Sequence, residues 1–239
     1  MKIVLINGTM RKDKSSTYNF AKSFIEKLDG EKEVKEFFLP KDMPHPCLGC
    51  SQCIIKGEDK CPHYESVSPI ATALEKADII ILASPVYVLD VTGQIKSLLD
   101  HLAYRWYSHR PHPKMFNKVG IAFSTTAGAG LGHTLKTLTN QLNWWGLKRV
   151  FKCGQVVNAA EWDGIPLKKK AQANKKIIKL AKKVNKIMPK INKILPRPFT
   201  VLIFHVMKMM SKAAWKVGTI DNAFWAENGW LNGKKPWRK

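Results

Sequence analysis

Four of the five cysteines fall in one short run, Cys47-x2-Cys50-x2-Cys53-x7-Cys61. Three thiolates at CxxCxxC spacing can converge on one centre, and a fourth can fold back across Gly57, as in compact iron–sulfur loops. Four thiolates also satisfy tetrahedral zinc, and a thiol-rich loop can equally bind nothing. The spacing alone leaves all three readings open. Cys153 stands apart in a predicted strand and reads as a small buried apolar residue.

A second concentration of chemistry is Gly8-Thr9-Met10-Arg11-Lys12-Asp13-Lys14-Ser15-Ser16-Thr17. It follows an apolar run and precedes a helical pattern. Hydroxyls, cations and free backbone N–H groups at a helix N-terminus are the ingredients of a phosphate cradle. The run approaches the nucleoside-triphosphate loop GxxxxGK followed by Ser or Thr, but Asp13 replaces the second Gly. A carboxylate there opposes phosphate and restricts the backbone that must wrap it, which excludes an NTPase. A monophosphate site and an ordinary polar βα loop both remain. Gly128-Ala129-Gly130-Leu131-Gly132-His133 approaches the dinucleotide fingerprint but has His133 in place of the third Gly, so it reads as a flexible backbone loop or a turn.

The elements that position these loops follow from apolar periodicity. Ile3–Asn7, Val34–Leu39, Asp78–Ser84, Val119–Ser124 and Val150–Val157 read as strands, and the continuous apolar runs among them, such as Ile79–Ala83, are the signature of strands covered on both faces. Helical spacing between them predicts helices starting at Ser16 or Thr17, and near Val67–Lys76, Thr92–Tyr107 and Leu131–Trp145. The expected fold is α/β: a five-stranded parallel sheet sandwiched by helices, with a basic helical C-terminal extension. Ligands in such sheets lie beyond the carboxyl ends of the strands. That singles out the loops Gly8–Ser16, Ser84–Gly93 and Thr125–His133. The stretch 40–62, holding the cysteines, is too long for an ordinary connection and therefore expected to carry function.

At 239 residues, 45% of them hydrophobic, the chain can bury a full core and is not disordered, yet its formal charge is +22. Fifteen cations and no acid lie between Gly164 and Ile220, leaving +7 for the rest. The basicity thus belongs mainly to the extension. From Pro166, Ile177, Leu180, Ala181, Val184, Ile187, Met188 and Ile191 recur at helical spacing among lysines, and Pro189 kinks or ends the helix. Three partners fit such a helix: the sheet itself beneath a solvated Lys face, an anionic lipid surface, or nucleic acid. No recognised nucleic-acid motif accompanies the charge, which ranks that partner last. No signal peptide is expected, and Phe199–Met210, interrupted by His205 and Lys208, is short of the roughly 18 residues of a spanning helix. Clustered cysteines without an export signal suggest the reducing cytoplasm, with the membrane surface as a peripheral location. The Trp-rich tail is expected to bury against something.

Three groups of residues together resemble the flavodoxin-like NAD(P)H-dependent FMN reductase family, over about residues 1–160. They are Asn7-Gly8-Thr9-Met10-Arg11 with Ser16-Thr17; Pro46-Cys47-Leu48-Gly49-Cys50 with Cys53; and Ser84-Pro85-Val86-Tyr87 running to Thr92-Gly93-Gln94-Ile95-Lys96. The resemblance implies FMN, with NAD(P)H as electron donor. It implies that Thr9, Arg11, Ser16 and Thr17 bind the flavin phosphate. Met10 stands where the family has a small residue or Pro, and one extra residue sits between Arg11 and Ser16, so Ser15 and Ser16 are interchangeable in that role. Pro85, Val86 and Tyr87 would lie beside the isoalloxazine ring, with Thr125, Ala127 and Gly128 completing its site. The iron–sulfur flavoproteins, a branch of the family, have a similar cysteine motif, which implies a 4Fe–4S cluster on Cys47, Cys50, Cys53 and Cys61, although related reductases carry CxGCxxC thiols without one.

The expected organisation is a flavodoxin-like FMN-binding domain over 1–160 that includes the cysteine loop 40–62, a basic amphipathic helix over 161–195, and a Trp-rich extension over 196–239 that caps the flavin or bridges a dimer. The expected activity passes electrons from NAD(P)H through FMN to a quinone, another small acceptor or a redox protein, in a homo-oligomer. The alternatives are an iron–sulfur electron-transfer module without its own small substrate, and a membrane-surface scaffold with a flavodoxin-like body. The family's flavin site often lies between subunits, which implies at least a dimer.

Overall fold

Strands without a polar alternation have no face to show to water, and the central ones here are buried along their whole length: Ile79–Ala83 and Val119–Thr126. The computed structural model describes residues 1–213 and 216–237, so 214–215 and the last two residues of the predicted extension lie outside the described residues. In chain order the elements are β1 (Lys2–Asn7), α1 (Ser16–Glu26), β2 (Glu33–Phe38), α2 (Gln52–Ile55), α3 (Tyr64–Lys76), β3 (Ile79–Ala83), α4 (Gly93–His101), β4 (Val119–Thr126), α5 (Leu131–Trp144), β5 (Arg149–Val156), α6 (Leu167–Ile187), α7 (Pro198–Ser211) and α8 (Ile220–Glu227). All strands pair in parallel, in the order β2-β1-β3-β4-β5. The strand order reverses between β1 and β3, and the cleft described below opens there.

Successive side chains of β1 feed two cores. Val4 and Ile6 pack with Ile70, Leu74, Ile95, Leu98 and Leu138 beneath α3, α4 and α5. Ile3 and Leu5 pack with Phe20, Phe24, Ile177 and Val184 beneath α1 and α6. α6 therefore lies on the sheet with its lysines outward, and Asn185 fastens it to the end of α1 through the Lys27 carbonyl at 3.2 Å. Pro189 falls in a 3-10 turn, Met188–Lys190, directly after the helix. Cys153 is buried in the second core, where burial pushes its thiol up to about 11.

Two expectations are corrected. The helix predicted over Thr92–Tyr107 ends at His101 and gives way to a 3-10 turn, Ala103–Arg105, because tertiary anchors win over local periodicity: Arg105 turns inward onto Glu75 and the Tyr107 amide binds the Trp144 carbonyl. The helix cap predicted at Ser16 or Thr17 is Ser15, whose hydroxyl accepts from the Tyr18 amide at 3.3 Å.

The C-terminal extension packs as an aromatic cluster. Phe204 stacks on Trp225 with ring centroids 5.1 Å apart, and Trp230 and Trp237 close around them. The cluster sits on Tyr107 and Phe116, in the connection that enters β4, and Trp225 Nε1 donates to the His109 carbonyl at 2.7 Å. Among the described residues, none of the extension lines the cleft, so within one chain it does not cap the flavin site.

Candidate cofactor cleft and cysteine loop

The first loop leaves β1 at Gly8, whose amide binds the Ala83 carbonyl at 2.8 Å and so pins the loop to the end of β3. A Cβ at Gly8 would lie 2.4 Å from Ile95, so the backbone can pass here only as glycine. Thr9 Oγ1 accepts from the Arg11 amide, a short 3-10 turn follows at Lys12–Lys14, and Ser15 starts α1. The amides of Ser16 and Thr17 lie in the first helical turn, where no intrahelical carbonyl is available to them. Free amides at a helix N-terminus suit an anion.

A cleft of about 220 Å³ opens beyond the carboxyl ends of the strands, lined by Thr9, Arg11, Ser15, Ser16, Thr17, Pro85, Val86, Tyr87, Thr125 and Ala127. All of these were expected from sequence; Gly128 alone of the expected ring-site residues is not among the lining residues. The first and third loops meet directly, with Thr17 Oγ1 and Thr125 Oγ1 2.5 Å apart. The second loop is fixed to the third by the Val86 amide on the Thr125 carbonyl at 3.0 Å. Among the described residues no carboxylate lines the cleft, and hydroxyls and amides gather at the Ser15–Thr17 end while Pro85, Val86 and Tyr87 form an apolar wall. This division fits a phosphate ester that carries a flat ring.

Arg11 lines the cleft but directs its guanidinium to the Ala160 carbonyl and to Glu161, at 2.9 and 2.7 Å. Its fork joins the first loop to the segment after β5. That segment contributes Val157, Ala159 and Ala160 to the lining, and Thr126 adds a further residue. Thr126 falls in the loop Thr125–His133 picked out from sequence, whereas the other three were missed, although the rule that pointed to the other post-strand loops applies equally to the one after β5.

The tip of the second loop is strained. Tyr87 and Asp90 exchange backbone hydrogen bonds at 2.9 and 3.1 Å, and between them Val88 and Leu89 both have positive φ, +48° and +67°. A β-branched residue there is costly, and such strain concentrates at functional sites. Gly130, which caps α5 at φ +84°, lies against this tip, and a Cβ would come within 2.7 Å of both Leu89 and Val86.

The cysteine loop is anchored to α4. The Cys47 amide donates to Ser97 Oγ at 3.2 Å, and His63 Nδ1 meets the buried His101 Nε2 at 3.1 Å. From the other side comes Arg110, whose side chain is 4% exposed. It donates to the carbonyls of Cys53 and Ile54, to Glu58 at 3.2 Å and to Asp221 of α8 at 2.6 Å. Asp221 also accepts from His109 at 2.8 Å and Lys216 at 3.0 Å. Burial pushes the Cys53 thiol up, and the neighbouring Cys61, Cys47 and Cys50 push it further, so the four thiols share one patch. They nevertheless do not form a closed ligand set: among the described residues no three Cys, His, Asp or Glu side chains are gathered for a metal ion. The donor chemistry suits a cluster or zinc, while the geometry of this loop does not yet enclose one.

A family model described as NADPH-dependent FMN reductase matches residues 1–162. An iron–sulfur flavoprotein of Archaeoglobus fulgidus is 32% identical over 179 residues, 74% of this chain and 79% of that protein. One of Methanosarcina thermophila is 26% identical over 184 residues, 74% of this chain and 93% of that protein. The solved FMN-dependent NADH-azoreductase of Bacillus anthracis covers 77% of this chain and 100% of its own, with a TM-score of 0.59 at 14% identity, a likeness of fold.

Proposed function

We propose that this chain, which belongs to the NADPH-dependent FMN reductase family, passes electrons from NAD(P)H to a quinone, another small acceptor or a redox protein. The observation that supports this most is the meeting of three post-strand loops on one carboxylate-free cleft with donors at one end and an apolar wall at the other. FMN, when bound, supplies the hydride and electron chemistry. The protein's own part is to bind and orient. The Ser16 and Thr17 amides and the Ser16 hydroxyl hold the phosphate, the Thr17–Thr125 contact sets the distance between first and third loops, and Pro85–Tyr87 flank the ring. Arg11 holds the Ala160 wall in place through its bonds to the Ala160 carbonyl and Glu161.

The chain acts as a dimer or larger oligomer in this reading. Its support is the apolar tip beside the cleft, where Val88 is 99% and Leu89 60% exposed. A second reading, an electron-transfer module carrying an iron–sulfur cluster on Cys47, Cys50, Cys53 and Cys61, is favoured by the shared thiol patch and by what the relatives are called. The test is anaerobic purification followed by visible spectra, iron and acid-labile sulfide assays, and steady-state NAD(P)H oxidation with quinone. Flavin bands with rapid quinone-dependent turnover support the first reading. Flavin with stoichiometric iron and sulfide and slow pyridine-nucleotide oxidation supports the second, and a chain that retains no flavin refutes both.

A further inference from the structure

α7 is apolar on two sides, and only one of them is used by the fold. Thr200, Phe204 and Ser211 face inward and are buried. On the other side Phe199, Leu202, Val206, Met209 and Met210 recur at helical spacing and stand in solvent, Leu202 at 62% and Met209 at 73% exposure. At 100° per residue these five fall within about a 100° arc, and Leu195, 69% exposed just before the helix, continues it. Such a continuous apolar stripe marks an interaction surface.

The charge around it identifies the partner. Exposed lysines stand at both ends of the stripe, Lys193 before α7 and Lys212 after it, and no acid occurs from Gly164 to Ile220. A second copy of this chain docking here would bring two acid-free basic segments together. Nucleic acid would meet a mainly aliphatic and thioether surface that neither stacks on bases nor hydrogen-bonds to them, the Phe199 ring being set edge-on against Trp144. An anionic bilayer satisfies both features, taking the stripe into its interface and the lysines into its head groups. α7 has 14 residues, and no described helix is long and apolar enough to cross a membrane.

We propose that the outer face of α7 docks this protein flat on anionic lipid, with Leu202 and Met209 entering the acyl boundary and Lys193 and Lys212 meeting lipid phosphates. This goes beyond the flavin chemistry and holds whichever acceptor is used. The test is cosedimentation of the full chain with phosphatidylcholine vesicles, with and without phosphatidylglycerol. It is run at salt concentrations where the screening length is about 10 Å and about 3 Å. Binding is expected only to the anionic vesicles and only at low salt. The double variant Leu202→Ser/Met209→Ser is expected to lower the partition coefficient at least about tenfold, since it removes much of the inserted apolar area. Lys193→Glu/Lys212→Glu should lower it at least as much. Both variants should keep the wild-type melting temperature and flavin content, because none of the four side chains is part of the core. Failure of the wild-type chain to bind anionic vesicles at low salt overturns the proposal, as does equal binding by either variant. An oligomer that Leu202→Ser/Met209→Ser dissociates also overturns it, in favour of a second copy on this face.

Discussion

Replacing Arg110 by methionine keeps most of the side chain's apolar volume and removes its charge and its fork. The guanidinium it removes is almost wholly buried and joins three parts of the chain: the cysteine loop at the Cys53 and Ile54 carbonyls, Glu58, and Asp221 of the C-terminal extension. Breaking one side of a buried ion pair costs about 3–5 kcal/mol, mostly because the remaining charge loses its partner. Asp221 keeps His109 and Lys216, so the lower end applies, and about 3 kcal/mol is expected. For a chain of this size that lowers the melting temperature by roughly 6–12 °C. Global stability alone does not separate this account from ordinary core damage, so the decisive assay is hydrogen exchange. Arg110→Met is expected to release amides in both 50–58 and 220–227 while β3 and β4 stay protected. Asp221→Asn, less damaging alone, should couple to it in a double-mutant cycle by at least about 1 kcal/mol. A melting temperature within about 2 °C of wild type, or additive losses, refutes the linkage. The pH dependence has a definite sign. Burial opposes ionisation of Asp221, but hydrogen bonds from His109 and Lys216 outweigh it and hold the carboxyl below its usual range. The extension's attachment is therefore complete above that range and is lost as pH falls beneath it.

Gly130→Ala is expected to destabilise by about 2–3 kcal/mol, combining a left-handed backbone with a clash on Val86 and Leu89, and to weaken FMN binding at least about tenfold in a fluorescence titration. Wild-type affinity would show that the 85–90 tip is free to move. His112 is kept neutral down to about 4 by burial first and by Arg105, Lys114 and Lys118 beside it. The unfolded chain takes up that proton first, so stability falls by about 2–3 kcal/mol between pH 6.5 and 4. Urea unfolding of His112→Gln should show a flatter profile across this interval. Val88→Gly relieves a positive φ at the cost of a more flexible unfolded chain, and the melting temperature should rise by up to about 3 °C; a fall would show that Val88 makes a contact worth more than its strain.

The strands were legible because a buried parallel sheet leaves uninterrupted apolar runs such as Ile79–Ala83, and the cleft was legible because sheet topology places ligands at one edge. Choosing Ser15 over Ser16 or Thr17 as the cap was not, since three adjacent hydroxyls are locally equivalent and the preceding 3-10 turn decides among them. The helix end at His101 was set by Arg105 and Tyr107 contacts with distant residues, which periodicity does not register. The Arg110–Asp221 pair left one faint trace: Asp221 is the first acid after a long acid-free stretch. Cysteine spacing permitted convergence but did not specify it, and the thiols are neighbours rather than a closed set.

The linkage through Arg110 also orders events in time. The partner that completes its ion pair lies 111 residues further along the chain. During synthesis every strand of the sheet leaves the ribosome before Asp221 does, so the flavodoxin-like body can assemble while Arg110, which anchors the cysteine loop, still lacks the carboxylate that completes its ion pair. The cysteine loop thus reaches its full set of supporting contacts only when the last helix docks, while Cys50 stays exposed in the finished fold.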